Sequence, residues 1–101
     1  MSIFDPMGGG VAILKKSGLP ASGTALTENT IYNVAAAVGT YQFVAPASGW
    51  AHGIFTTGSS VAITFESGAE FIGEKPEFEA STKYEFDVNN GVWAFGAVVT
   101  E

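Results

Sequence analysis

Thr82-Lys83-Tyr84-Glu85-Phe86-Asp87-Val88 alternates polar and apolar side chains without a break. A period of two belongs to a strand with one buried face. Tyr84, Phe86 and Val88 are therefore expected to face a core, and Lys83, Glu85 and Asp87 to face water. Asn89-Asn90-Gly91 follows, made of residues that tolerate positive φ. Residues 92–99 are apolar enough to return as the second strand of a hairpin.

Working outward from this hairpin, further strands are expected at 11–15, 30–36, 40–45, 50–57 and 61–65, with a short one near 70–72. Gly18, Pro20, Gly23, Pro46, Gly49, Gly58, Gly68, Gly73 and Pro76 punctuate them. No window of useful length has helical periodicity. Ala35-Ala36-Ala37 favours helix locally, but Gly39 and the flanking β-branched residues oppose it. The pattern predicts an all-β chain: a small antiparallel sandwich, jelly roll or barrel.

An internal repeat organises the strands. Val11-Ala12-Ile13 with Ser17-Gly18 recurs fifty residues on as Val61-Ala62-Ile63 with Ser67-Gly68, and Gly23 recurs as Gly73. Leu26, Asn29, Thr30 and Tyr32 recur fifty-two residues on as Phe78, Ser81, Thr82 and Tyr84. Gly39-Thr40-Tyr41-Gln42-Phe43 recurs at the same spacing as Gly91-Val92-Trp93-Ala94-Phe95. The expected organisation is a flexible arm at 1–10 and one β-domain at 11–101, built from two similar halves at 11–45 and 61–99. Neither half has enough strands to bury a core alone.

The 101 residues suit one domain, and 47% apolar content with eight Phe, three Tyr and two Trp is globular. With no cysteine there are no disulfides or thiolate metal sites. The net charge is −6 and all four bases are lysines, so nucleic acid and anionic membranes are expected to repel the chain. No apolar run is long enough to span a bilayer, and the first ten residues lack the basic start of a secretory signal.

Candidate functional residues follow from what the strand pattern leaves over. Residues 92–99 are apolar on both faces, so Val92, Ala94 and Val98 are expected to need covering. Ala35 and Ala37 are uncharged in the same way. These five are the expected interface of a homo-oligomer. In the arm, Ile3, Phe4 and Pro6 precede Gly8-Gly9-Gly10, the composition of an apolar peptide on a flexible joint that anchors the domain to a partner. Trp50, His52 and Tyr41 are candidates for contact with a ligand such as a glycan. Glu66, Glu70, Glu74, Glu77 and Glu79 suggest at most a weak cation site, because their spacing matches no calcium loop. His52 is the only histidine and no pattern supplies it with catalytic partners, so no enzyme activity, cofactor or metal is expected.

Ile63-Thr64-Phe65 through Gly68, Phe71, Gly73, Pro76, Phe78, Ala80, Thr82 and Tyr84 to Val88 resembles a β-motif recurrent in tailed-bacteriophage virion proteins, including tail-fibre, head-fibre and capsid decoration modules. The chain departs from that motif at Phe71, where Trp is common, and at Ser81, where Asn is common. The resemblance implies a structural subunit on the virion surface, attached to capsid or tail and often trimeric, with no catalytic residue. A receptor- or glycan-binding fibre module is the alternative it leaves open.

Overall fold

The computed structural model describes residues 13–98. The arm with Ile3, Phe4 and Pro6 lies outside the described residues, as does Val99. Seven strands and no helix make up the described part: β1 (Leu14–Lys16), β2 (Thr30–Asn33), β3 (Val38–Phe43), β4 (Trp50–Phe65), β5 (Glu70–Phe71), β6 (Lys83–Asn89) and β7 (Val92–Ala97). The chain is all-β, as its alternation predicts.

The expectation of an antiparallel sheet is corrected. β1–β2, β2–β4, β3–β4 and β5–β7 pair in parallel, while only β4–β6 and β6–β7 are antiparallel. The physical reason lies in the connections. Gly- and Pro-bearing loops that read as hairpin turns instead carry the chain from one layer to another. β1, β2 and the first half of β4 lie side by side in one layer. Between them the chain crosses to a second layer. There residues 23–26 run beside the end of β3, with Gly23 N–H donating to Gln42 O at 3.1 Å and Leu26 N–H to Val44 O at 3.0 Å. β3 in turn pairs with the second half of β4, from Thr40 with Ala62 to Phe43 with Phe65. From β1 to β4 the chain therefore passes from one layer to the other and back through parallel pairings.

β4 belongs to both layers. The two strands expected at 50–57 and 61–65 are one strand of 16 residues. Its pairing with β3 slips between Val38 opposite Thr57 and Thr40 opposite Ala62. Gly58, Ser59 and Ser60 fall in that bulge, which re-aims a strand without ending it. The expected hairpin closes the first layer as β6 and β7. Asn90 (φ 52°) and Gly91 (φ 81°) both take the left-handed conformation that a two-residue hairpin turn requires.

The core lies between the layers. β6 buries Tyr84, Phe86 and Val88 and exposes Lys83, Glu85, Asp87 and Asn89, as its alternation predicts. Phe43 reaches from β3 onto this surface with no solvent exposure, its ring 5.4 Å from Phe86 and Trp93 and 5.6 Å from Phe55. Burying one such side chain contributes roughly 1.5–3 kcal/mol. The buried Thr57 is satisfied: its hydroxyl donates to Glu79 O at 2.6 Å and accepts from Thr82 N–H at 2.9 Å.

Two of the sequence blocks paired at a spacing of fifty-two residues adopt the same local geometry. Asn29 (φ 58°) and Ser81 (φ 51°) are both left-handed. Thr30 and Thr82 each donate from Oγ1 to the carbonyl two residues back. Tyr32 Oη accepts from Thr27 N–H at 3.0 Å, and Tyr84 Oη from Glu79 N–H at 2.8 Å. Each device turns the chain sharply into a strand and fixes a core tyrosine over the turn. The strands they start then differ, since β2 runs parallel to β4 and β6 antiparallel to it.

Gly53 stands between Tyr32 and Phe86 on the neighbouring strands. A Cβ there would sit 2.7 Å from Phe86 Cε2 and 2.8 Å from both Phe86 Cζ and Tyr32 Cβ. Overpacking of this kind costs about 1–3 kcal/mol. Gly53→Ala is expected to lower the melting temperature by roughly 5–15 °C on the scaling for a domain of this size. Gly96→Ala, where a Cβ meets nothing within 4 Å, is expected to melt with the wild type. Thermal unfolding followed by near-ultraviolet circular dichroism measures both.

Candidate functional site

The outer face of the first layer gathers the polar candidates. On β4, Trp50, His52, Ile54 and Thr56 point away from the core and are half-buried. His52 pairs across the ladder with Asp87, and Ile54 with Glu85. His52 Nε2 lies 3.4 Å from Glu85 Oε2, with side-chain exposures of 36% and 52%. A pair this open to water is screened and contributes little to stability. A shallow groove of about 240 Å³ lies beside it, lined by His52, Glu85, Phe86, Asp87, Ala94, Phe95 and Gly96. Its two carboxylates and one imidazole can exchange hydrogen bonds with hydroxyl-rich ligands.

The expected oligomer residues fall in separate places. Val92 and Ala94 are half-buried on the outer face of β7, Ala94 bordering the histidine groove. Val98 follows the strand and donates its N–H to Lys83 O at 2.8 Å. Ala35 and Ala37 are exposed in the loop from β2 to β3. Ala37 lines a different groove of about 320 Å³, with Leu19, Pro20, Val34, Val38 and Tyr41 among its walls. The structure thus brings Val92 and Ala94 together and sets Ala35 and Ala37 apart from them.

The ligand candidates divide as well. Trp50 and His52 share one strand face, whereas Tyr41 is a core residue at 8% exposure. Its ring meets Phe43 edge-on at 5.0 Å, and its hydroxyl donates to Pro20 O at 2.8 Å. At that exposure too little of its ring faces the groove it borders to stack a sugar. Burial, together with the neighbouring Tyr32, pushes the Tyr41 phenol up from 10.0 to about 12. The glutamates at 66–79 do not converge. Glu66 accepts Ala45 N–H at 3.0 Å, and no group of three acidic or histidine side chains among the described residues could hold a metal ion.

Sequence reading missed one class of residue, the large apolar side chains left in the open. Ile13, just before β1, and Leu14, its first residue, are 53% and 45% exposed, and Ile72 is 70% exposed just after β5. The adjacent Lys15-Lys16 was the available signal, because lysines on a short apolar strand are typical of a sheet edge. Among the described residues no helix is long and apolar enough to cross a membrane.

Tyr41 generates a pH test. Its folded pKa lies above the unfolded value, so it binds its proton more tightly in the native state. The associated stability is complete below about pH 10 and is lost as pH rises towards 12. Equilibrium urea unfolding at stepped alkaline pH is expected to show stability falling across that window. Tyr41→Phe, which has no phenol to ionise, is expected to fall less steeply. No family model matches the chain, and neither a curated protein nor a solved structure is significantly similar to it.

Proposed function

We propose that this chain is a non-catalytic structural module that assembles with copies of itself and with other proteins on the surface of a larger particle, of the kind its sequence resembles in tailed-phage virions. A capsid decoration or head-fibre-like subunit is the form we favour, trimeric as that resemblance implies. The observation that carries the reading is the contrast between a closed interior and an unfinished exterior. Aromatic rings fill the space between the layers, while Ile13, Leu14 and Ile72 stay exposed and Val92 and Ala94 are only half-covered. Exposed apolar groups of this size favour a protein neighbour.

The winding of β1, β2, β3 and β4 supports the same reading. Parallel strands joined by non-helical crossovers in two stacked layers form a short β-solenoid, which we favour over a closed sandwich, jelly roll or barrel. Such a coil makes a stiff, extended part whose ends remain available for pairing. Ile3, Phe4 and Pro6 would then anchor the module, and Val92, Ala94 and Val98 would meet neighbours on the outer face.

Sedimentation velocity at tens of micromolar protein tests self-assembly. A mass above the monomer that rises with concentration is expected. A strict monomer that also fails to bind capsids or tails would reject the proposal.

A second reading is favoured by the outer face of β4, where Trp50 and His52 lie half-exposed on the strand that pairs with Glu85 and Asp87. An aromatic ring near carboxylates suits a glycan receptor. On this reading a glycan array gives specific signals that Trp50→Ala abolishes without shifting the melting temperature. Absence of any Trp50-dependent signal would leave the structural role alone.

A further inference from the structure

β1 and β5 are the two ends of the first-layer sheet, whose order is β1-β2-β4-β6-β7-β5. One row of paired residues crosses it from end to end: Leu14, Thr30, Ala51, Val88, Trp93, Phe71. Among the described residues, only its first and last members lack a strand neighbour on one side. The pairings also fix direction. β1 and β2 run parallel to β4, the antiparallel β6 brings β7 back parallel to it, and β5 follows β7. The two ends of the sheet therefore point the same way.

The ends are opposite in charge. Lys15 and Lys16 are exposed on β1, next to the exposed Ile13 and Leu14. A broad hollow of about 510 Å³, lined by Lys15, Lys16, Ser17, Ile31 and Asn33, lies along that end. At the other end Glu70 is exposed on β5, followed by exposed Ile72 and Glu74. Lys75 is the one base in that loop, and its ammonium lies 5.8 Å from the centre of the Phe65 ring.

Resting on the assembly reading above, we infer that the partner of each sheet edge is a second copy of this chain, with the β5 edge of one copy pairing in parallel with the β1 edge of the next. This arrangement continues the ladder type already present at both ends, sets Phe71 beside the next copy's Leu14, and brings Glu70 and Glu74 towards the next copy's Lys15 and Lys16. The two-fold alternatives would bring like charges together, lysines on lysines at β1 or glutamates on glutamates at β5, and like-charge contacts oppose association. A contact between two different edges is heterologous, so copies close into a ring or extend as a fibre. Each contact is small, so association is concentration-dependent.

Two charge reversals test the pairing by sedimentation velocity at low salt: Lys15→Glu with Lys16→Glu, and Glu70→Lys with Glu74→Lys. All four positions are exposed, so both variants are expected to keep the wild-type melting temperature. Each alone is expected to associate more weakly than wild type by roughly one to two orders of magnitude. In their equimolar mixture the β1 edge of each variant meets a β5 edge of opposite charge on the other, so the mixture is expected to associate more tightly than either variant alone.

If either variant alone keeps wild-type association, or the mixture associates no more tightly than either variant alone, the edge pairing is overturned while assembly through another surface stands. A wild type that is monomeric throughout overturns both. Raising the salt gives a readout that needs no variant. Wild-type mass is expected to fall, because exposed ion pairs are screened within about 8–10 Å at physiological ionic strength. An unchanged mass would contradict the charge complementarity.

Discussion

Phe43 is the side chain on which the two layers meet. Its ring has neighbours on both, with Tyr41 on its own strand, Phe65 on the second half of β4, and Phe55, Phe86, Trp93 and Phe95 on the first layer. Aromatic pairs at these separations contribute about 0.5–1.5 kcal/mol each beyond their burial. Such a cluster forms only if β3 lies over the β4-β6-β7 surface, and β3 lies there because β4 runs on through the slip at Gly58-Ser59-Ser60 to give it a partner. The bulge, the single long strand and the aromatic cluster are one constraint met in three places.

Gly53 is the counterpart of that constraint within the first layer. With no side chain on β4 at that point, Tyr32 and Phe86 approach across it, their ring centres 6.3 Å apart. The missing volume is filled from the strands on either side, so the core is continuous across β4. Trp93 completes the layer at a cost. Its indole N–H is buried with no acceptor among the described residues. An unmade hydrogen bond of this kind costs about 1–3 kcal/mol, outweighed here by the burial of the largest side chain in the core.

The sequence was most legible where structure is local. Alternation in 82–88 and the Asn90-Gly91 turn located the hairpin and assigned its buried face, because both depend on neighbours one or two residues apart. Asn29 and Ser81, together with the threonines and tyrosines that follow them, match as strings because they build the same left-handed turn. What escaped was non-local. Nothing in the composition of 58–60 separates a bulge from a turn, so β4 read as two strands. Nothing in the loops distinguishes a hairpin from a crossover, so parallel pairing went unforeseen. Among the candidate site residues, Trp50 and His52 are two apart on one strand, and a period of two is enough to put them on one face. Tyr41 is buried on β3 by a layer far from it in sequence, and nothing in its own neighbours specifies that layer.

An open sheet differs from a closed one in one consequential way: it has ends, here β1 and β5. β2, β4 and β6 have strand neighbours on both sides, β7 has a second neighbour only at Val92 and Trp93, and β1 and β5 end the sheet. A chain can protect such an end with short strands and charge, and both devices are present, since β1 has three residues and β5 two. Protection by charge alone is symmetric in effect whichever sign is used, because either sign repels its like. Placing lysines at one end and glutamates at the other keeps that repulsion for identical ends and removes it for unlike ones. The same residues that block two-fold edge pairing thus leave a single orientation open, and the exposed Leu14 and Ile72 lie at the two edges that this orientation brings together.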